Sequence, residues 1–293
     1  MSKHIETAKE SFVPRESKAI PKMIGIENEY GCLLQNGSRK DFHAEAGGVP
    51  FVMRYDPEWL LFERSGAWDP TARLGGSNAL DAQAHSYFKD AKWQLYMNFL
   101  MPNGARFYLD MTHPEICIPL CRNPLEALLH DRACELMMNR IREKHLEVCG
   151  DEYRLYKNNT ACGDEEGRRT IGNNGVSYST HENYLVSRNV PIMELAMKEL
   201  PFLVLRTVLF GAGKVWEQNC GNTADYQLSQ RADFFGEAVG VHTIGTSRPI
   251  KNLRDRPYAN REQFRRVHVI SGDANMCEVA EFLKLGLTSL LFM

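Results

Sequence analysis

No two cysteines stand in a C-x-x-C spacing, although the 293-residue chain has eight of them. They read as reduced thiols, with a zinc site the lesser alternative. Charge of one sign is lacking too: 35 Lys and Arg face 37 Asp and Glu, a formal net charge of -2. That balance gives no general attraction to polyanions, and no local basic groove is evident, so nucleic acid is not an expected partner. Long hydrophobic runs are also missing. The longest apolar stretch, 285–293, is broken by Gly286, Thr288 and Ser289 and falls far short of the roughly 20 residues that span a bilayer. The first 19 residues are charged throughout and have no apolar core of a secretory signal, which points to the cytoplasm and away from membranes.

The common nucleotide and hydrolase motifs are absent as well. Residues 210–215, F-G-A-G-K-V, imitate the end of a P-loop, but Val208 occupies the first Gly position and Val215 the Ser/Thr position. No G-x-G-x-x-G follows a strand, His181-Glu182 does not continue as H-E-x-x-H, and there is no G-x-S-x-G elbow. Any phosphate site has to be built from a sheet face and arginines.

What is present is an ordinary globular composition, 43% hydrophobic and 25% charged, in a chain long enough for one large domain or two of common size. Residues 1–21 read as a mobile arm. Residues 22–30 form a first strand whose period of two sets Glu27 and Glu29 on one face and Ile24 and Ile26 on the other. A weakly patterned segment, about 32–102, reads as an insertion loop, closed by a helix-like stretch near 80–100. Asn103-Gly104 is a hairpin signal before 105–110, where alternation aligns Arg106, Tyr108 and Asp110 opposite Phe107 and Leu109. Asn123, Pro124 and Glu126 start a helix with Leu125, Leu128, Leu129, Leu136 and Ile141 as its apolar stripe. Further strands are expected at 153–156, 176–186, 226–229 and 267–270, a helix at 191–210, and turns across 246–260. Strands and helices without regular alternation predict an α+β fold, a largely antiparallel β-sheet packed by helices.

Such a sheet has a polar face, and Glu27, Glu29, Tyr108, Asp110, Glu115 and His181 can share it. Oxygen ligands of this kind suit Mg²⁺ and its attachment to nucleotide phosphates; a solvated strand face is the plainer reading for any one of them. His181 shares its strand face with Asn183. The Asn and Ser residues in 157–160 and 177–184 serve equally as turn formers.

Seven blocks carry a resemblance: M-I-G-I-E-N-E-Y-G (23–31), N-G-A-R-F-Y-L-D (103–110), H-P-E (113–115), Y-K-N-N-T (156–160), H-E-N-Y-L (181–185), L-S-Q-R-A-D (228–233) and R-R-V-H-V-I-S-G-D-A-N (265–275). In this order they resemble the Pup ligase and Pup deamidase (depupylase) family, which is similar to glutamine synthetase and the carboxylate-amine ligases. The resemblance implies a sheet cradle for ATP (or ADP) and Mg²⁺. It implies Pup, or a Pup-like modifier, and pupylated proteins as partners, with a functional link to a bacterial proteasome. The long 32–102 segment and the five-residue step from Asp110 to Glu115 are similar to the deamidase branch. The implied activity is removal of the amide from the C-terminal glutamine of Pup and cleavage of Pup-lysine isopeptide bonds. A Pup–protein ligase and a truncated, inactive Pup- or nucleotide-binding fragment are the alternatives. By position, Asp110 is the implied catalytic aspartate; Glu27, Tyr108, Glu115 and His181 the metal ligands; and Arg106, Arg231, Arg254 and His268 the ATP-binding set. Ile118 stands where the family's ligases carry a Thr. The resemblance implies a large catalytic domain over 22–293, incomplete at its C-terminus, with the family's small C-terminal domain absent; the apolar end at 290–293 is read as a truncation point.

Overall fold

The alternation of residues 24–29 becomes the central strand of the computed structural model, β1 (Ile24–Glu29), with Ile24, Ile26 and Asn28 buried and Glu27 and Glu29 half-buried on the opposite face. The structure describes residues 23–35, 98–101, 103–110, 113–161, 176–178, 180–215, 226–243, 248–255 and 259–292. The expected arm at 1–21 lies outside these residues, as does most of the expected insertion. Its ends are described: β2 (Gly31–Leu34) opens it and β3 (Asn98–Leu100) closes it as a strand, where the sequence reads as helix. β3 is held by pairing with β4 (Arg106–Asp110), which in turn pairs with β5 (His113–Cys117).

α1 (Pro124–Cys149) begins at Asn123, whose side chain accepts the Glu126 N–H at 2.9 Å, and ends at Gly150 in the left-handed conformation, φ 74°. Beyond it come β6 (Tyr153–Tyr156), β7 (Asn159–Ala161), β8 (Val176–Tyr178) and β9 (Thr180–Ser187). α2 (Ile192–Leu209) precedes β10 (Lys214–Val215), β11 (Tyr226–Gln227), β12 (Glu237–Gly240), β13 (Pro249–Asn252) and β14 (Phe264–Val269), and α3 (Glu278–Leu291) follows. β13 falls in a stretch that the sequence reads as turns.

Six strands join in the order β14-β9-β1-β5-β4-β3, every neighbouring pair antiparallel. This is the expected α+β architecture. β2 with β6, β7 with β8, β10 with β11 and β12 with β13 are two-stranded ribbons, the last one parallel. Ile24, Ile26, Phe107, Ile116, Val267 and Val269 belong to the apolar core, together with Met138 and Ile141 of α1 and Leu285 of α3. No helix among the described residues is long and apolar enough to cross a membrane.

The buried stripe of α1 differs from the expected one. Of the expected stripe Leu128 and Ile141 are buried but Leu125, Leu129 and Leu136 are exposed, whereas six residues, Ala127, Asp131, Cys134, Met138, Ile141 and His145, line up facing inward. Those six follow an alternating four- and three-residue spacing, which is one helix face. Asp131 is fully buried there because it is paired on all sides. Asn28 of β1 and Lys157 donate to it, and Arg132 lies 3.0 Å away. Arg132 also reaches Glu135 at 2.9 Å and Glu281 of α3 at 2.5 Å.

Burial, reinforced by Asp131, pushes the Glu281 carboxyl from 4.5 up to about 7 against the pull of Lys157 and Lys284. A folded-state value above the unfolded one means that Glu281 adds stability below pH 4.5 and that this is lost as pH rises through about 7. Wild-type stability should therefore fall by about 3 kcal/mol between those limits relative to Glu281→Gln. Urea midpoints at pH 4.5 and 7.5 measure the difference.

Candidate active site

The sheet register brings separate strands' polar residues together on one face. Glu27 lies opposite Cys117 of β5 on one side and His181 of β9 on the other; Glu29 lies opposite Glu115. Across the next pair, Tyr108 faces Glu115 and Asp110 faces His113, while His268 of β14 lies opposite Asn183. Period-two alternation keeps all of these on the side away from the core helices.

Two groups of donor atoms result, each with its atoms within 4.8 Å of one another: Glu27, His181 and His268, and Glu29, Asp110 and Glu115. In the first, Glu27 Oε2 is 3.5 Å from His181 Nδ1, and Asn183 Nδ2 donates to Glu27 Oε1 at 2.9 Å. With its amide nitrogen committed to Glu27, Asn183 presents its oxygen to His268 Nδ1 at 2.9 Å. That places the proton on Nδ1 and leaves the Nε2 lone pair available to a ligand. Burial acts to raise the Glu27 carboxyl, but the His181 hydrogen bond and the Arg266 charge hold it well below the usual range. Burial keeps His268 neutral despite the opposing charge of Glu27. A carboxylate beside a neutral imidazole is the protonation state that binds metals.

In the second group Glu115 is fully buried, and burial together with Asp110, Glu27 and Glu29 raises its carboxyl well above the ordinary value. The Tyr108 hydroxyl opposes this, donating to Glu115 Oε1. Burial in turn raises the Tyr108 phenol, which keeps it a neutral donor, and the Arg106 guanidinium sits 4.0 Å over its ring. Converging carboxylates that disfavour one another's charge are the donor set of a hard divalent cation.

Arginines border both groups. Arg231 is buried, and its Nε and Nη1 have no hydrogen-bond partner among the described residues. Burial and then Arg248 bring its guanidinium down to about 9, with Glu29 and Asp273 opposing. Arg254 acts on His268, and Arg266 Nη1 is 3.9 Å from Glu27.

All ten residues singled out by the sequence are thus described, Glu29 lying with Asp110 and Glu115 in the second group. Glu27 and His181 fall in one group, Asp110 and Glu115 in the other, and Tyr108 and Arg106 are attached to the second. His268, expected with the ATP-binding set, lies among the donor atoms of the first group. Arg266 and Arg248 were not anticipated. Arg266 was legible as the i−2 neighbour of His268 on a strand, whereas Arg248 is hidden at the edge of a segment that reads as turns. Asn183 was seen only as a neighbour of His181, and its bridging amide depends on the β9–β14 register.

A family model described as Pup-ligase protein matches residues 22–293. A depupylase of Acidothermus cellulolyticus is 39% identical over 276 residues, 92% of this chain and 52% of its own length. The Pup deamidase/depupylase of Mycobacterium tuberculosis is 40% identical over 284 residues, again 92% of this chain and 52% of its own. The chain therefore spans about half the length of the curated relatives it matches. Among solved structures, the complex between the prokaryotic ubiquitin-like protein Pup and its ligase PafA aligns with a TM-score of 0.66 and 29% identity, covering 93% of this chain and 46% of that one. PafA in complex with ADP aligns with a TM-score of 0.55 and 35% identity over 67% of this chain and 41% of that one.

Proposed function

Since the chain belongs to the Pup-ligase protein family, we propose that its sheet face is the nucleotide- and cation-binding half of an amidohydrolase acting on Pup. The carrying observation is the pair of donor groups on adjacent strands, bordered by Arg231, Arg254 and Arg266. Glu27, His181 and His268 on one side, and Glu29 and Glu115 on the other, supply the donors suited to Mg²⁺. A divalent cation bound there would neutralise phosphate charge and polarise an oxygen. Tyr108 orients Glu115, and Asn183 orients both Glu27 and His268. Asp110, half-buried at the end of β4, acts as nucleophile on the side-chain amide carbon or as the base that takes a proton from water. Arginine charge can stabilise the oxyanion that forms when the amide is attacked. The substrates are the C-terminal glutamine of Pup or a Pup-like modifier and Pup-lysine isopeptide bonds, which connects the protein to proteasomal degradation in the cytoplasm.

Incubation with ATP, Mg²⁺ and glutamine-ended Pup should yield glutamate-ended Pup by mass spectrometry. No mass change, beside a competent depupylase, would overturn the reading. A lysine conjugate formed from glutamate-ended Pup would assign ligation instead.

The bridging amide gives a narrower expectation. Asn183→Ala leaves every donor atom of the first group in place but releases Glu27 and His268 from their shared partner. Loss of such an orienting group lowers metal affinity by about 10- to 100-fold. A Mg²⁺ titration of nucleotide binding should show that shift, while loss of Asn183 with no change would mean that the cation is held elsewhere.

A further inference from the structure

Residues 271–275, S-G-D-A-N, have no regular secondary structure yet are buried throughout. Buried irregular backbone requires its polar groups to be paired, and here the pairing reaches several elements. Asn158 accepts from the Ala274 N–H at 2.9 Å and donates back to its carbonyl; Asn275 donates to the Phe210 carbonyl at 2.9 Å; and Arg132 donates to the Asn275 carbonyl at 2.9 Å.

Asp273 is the centre of this knot. Its Oδ2 accepts from the Ala212 N–H at 2.9 Å and the Gln230 N–H at 2.8 Å, and its Oδ1 from Ser229 Oγ at 3.0 Å and the Arg231 N–H at 3.2 Å. Lys284 of α3 donates to the Asp273 carbonyl at 2.7 Å, anchoring the segment from behind. Ser229 Oγ also accepts the Arg231 and Ala232 N–H groups, both at 3.2 Å. The backbone around Arg231 is therefore fixed by one buried carboxylate. The side chain it carries is a different matter, since Nε and Nη1 of Arg231 have no hydrogen-bond partner among the described residues. Its direction comes from its backbone and from packing, with Phe235 5.8 Å beneath the guanidinium.

We propose that Asp273 is a positioning residue that sets the Arg231 guanidinium against nucleotide phosphate by holding the 229–231 backbone. The inference rests on the nucleotide-binding reading above. A carboxylate is required because three backbone N–H groups and a hydroxyl converge on its two oxygens. An amide would turn an NH₂ toward two of those donors, leaving them unsatisfied and the loop free to shift.

A thermodynamic cycle on the full chain tests this, using a fluorescent ADP analogue with Mg²⁺ as the probe. Wild type, Asp273→Asn, Arg231→Met and the double variant are compared. A residue that acts through another gives non-additive losses, whereas independent structural damage gives additive ones. Each single substitution is expected to weaken binding about tenfold, and the double to be no weaker than Arg231→Met within about twofold. Amide exchange should quicken at Gln230 and Arg231 in Asp273→Asn while β14 stays protected. If Asp273→Asn does not fold, Ser229→Ala enters the same cycle with the same expected non-additivity. Unchanged affinity or additive losses overturn the assignment of Asp273 alone. A wild-type chain that does not bind the probe overturns the nucleotide-binding reading and this inference with it.

Discussion

Asp110→Asn is expected to abolish turnover of glutamine-ended Pup while leaving nucleotide affinity within about threefold of wild type. The substitution keeps the side-chain shape and removes one charge from a group whose three carboxylates approach within 4.8 Å. A lost general base costs about 100- to 10,000-fold in rate, and a lost nucleophile costs more. The substitution has a second, opposite consequence. Asp110 is the largest charge raising the Glu115 carboxyl after burial itself, so its removal eases ionisation of Glu115 and offsets part of the charge the cation site loses. Single-turnover mass spectrometry read beside the fluorescent nucleotide titration separates the two effects. Turnover that survives within tenfold would remove Asp110 from the chemistry.

The other large effect lies behind the sheet. Lys157→Met strips a fully buried Asp131 of its closest cation, leaving Arg132 at 3.0 Å and the Asn28 amide. Breaking one side of a buried pair costs about 3–5 kcal/mol because the remaining charge is left without compensation. At a few degrees per kcal/mol for a domain of this size, the thermal midpoint should fall by roughly 6–20 °C. Pairing the change with Asp131→Leu removes the stranded charge and should restore part of the loss. A single variant within about 1 kcal/mol of wild type would mean that Asp131 regains water or a new partner.

The front of the sheet was the legible part of the molecule. In 24–29, 106–110 and 180–187, polar and apolar residues alternate because one face meets core and the other does not. Glu27, Asp110, Tyr108 and His181 could be aligned from that period alone. β5 and β13 were hidden by Pro114 and Pro249, since proline removes a ladder donor and usually marks a turn. Tertiary pairing overrides that signal, as when Tyr30 donates to the Pro114 carbonyl at 2.9 Å. On α1, Leu125, Leu129 and Leu136 suggest the wrong face because the inward stripe contains an aspartate and a histidine. A buried Asp131 is acceptable only beside Lys157, Arg132 and Asn28, and those come from 26 residues downstream, the next residue and 103 residues upstream. No local pattern carries that information. The 271–275 knot was hidden for the same reason, as its sequence has no period.

The two-sided character of β1 also protects the chain while it folds. Glu27 and Glu29 look forward, and between them Asn28 reaches back to Asp131. A slip by one residue against β5 or β9 would send both carboxylates into the apolar layer and lift Ile24 and Ile26 into water. Each stranded carboxylate costs several kcal/mol, and each exposed isoleucine forfeits about 1.5–3 kcal/mol more. A pairing shifted by one residue is thus strongly disfavoured, and the same alternation that assembles the acidic face fixes its own register.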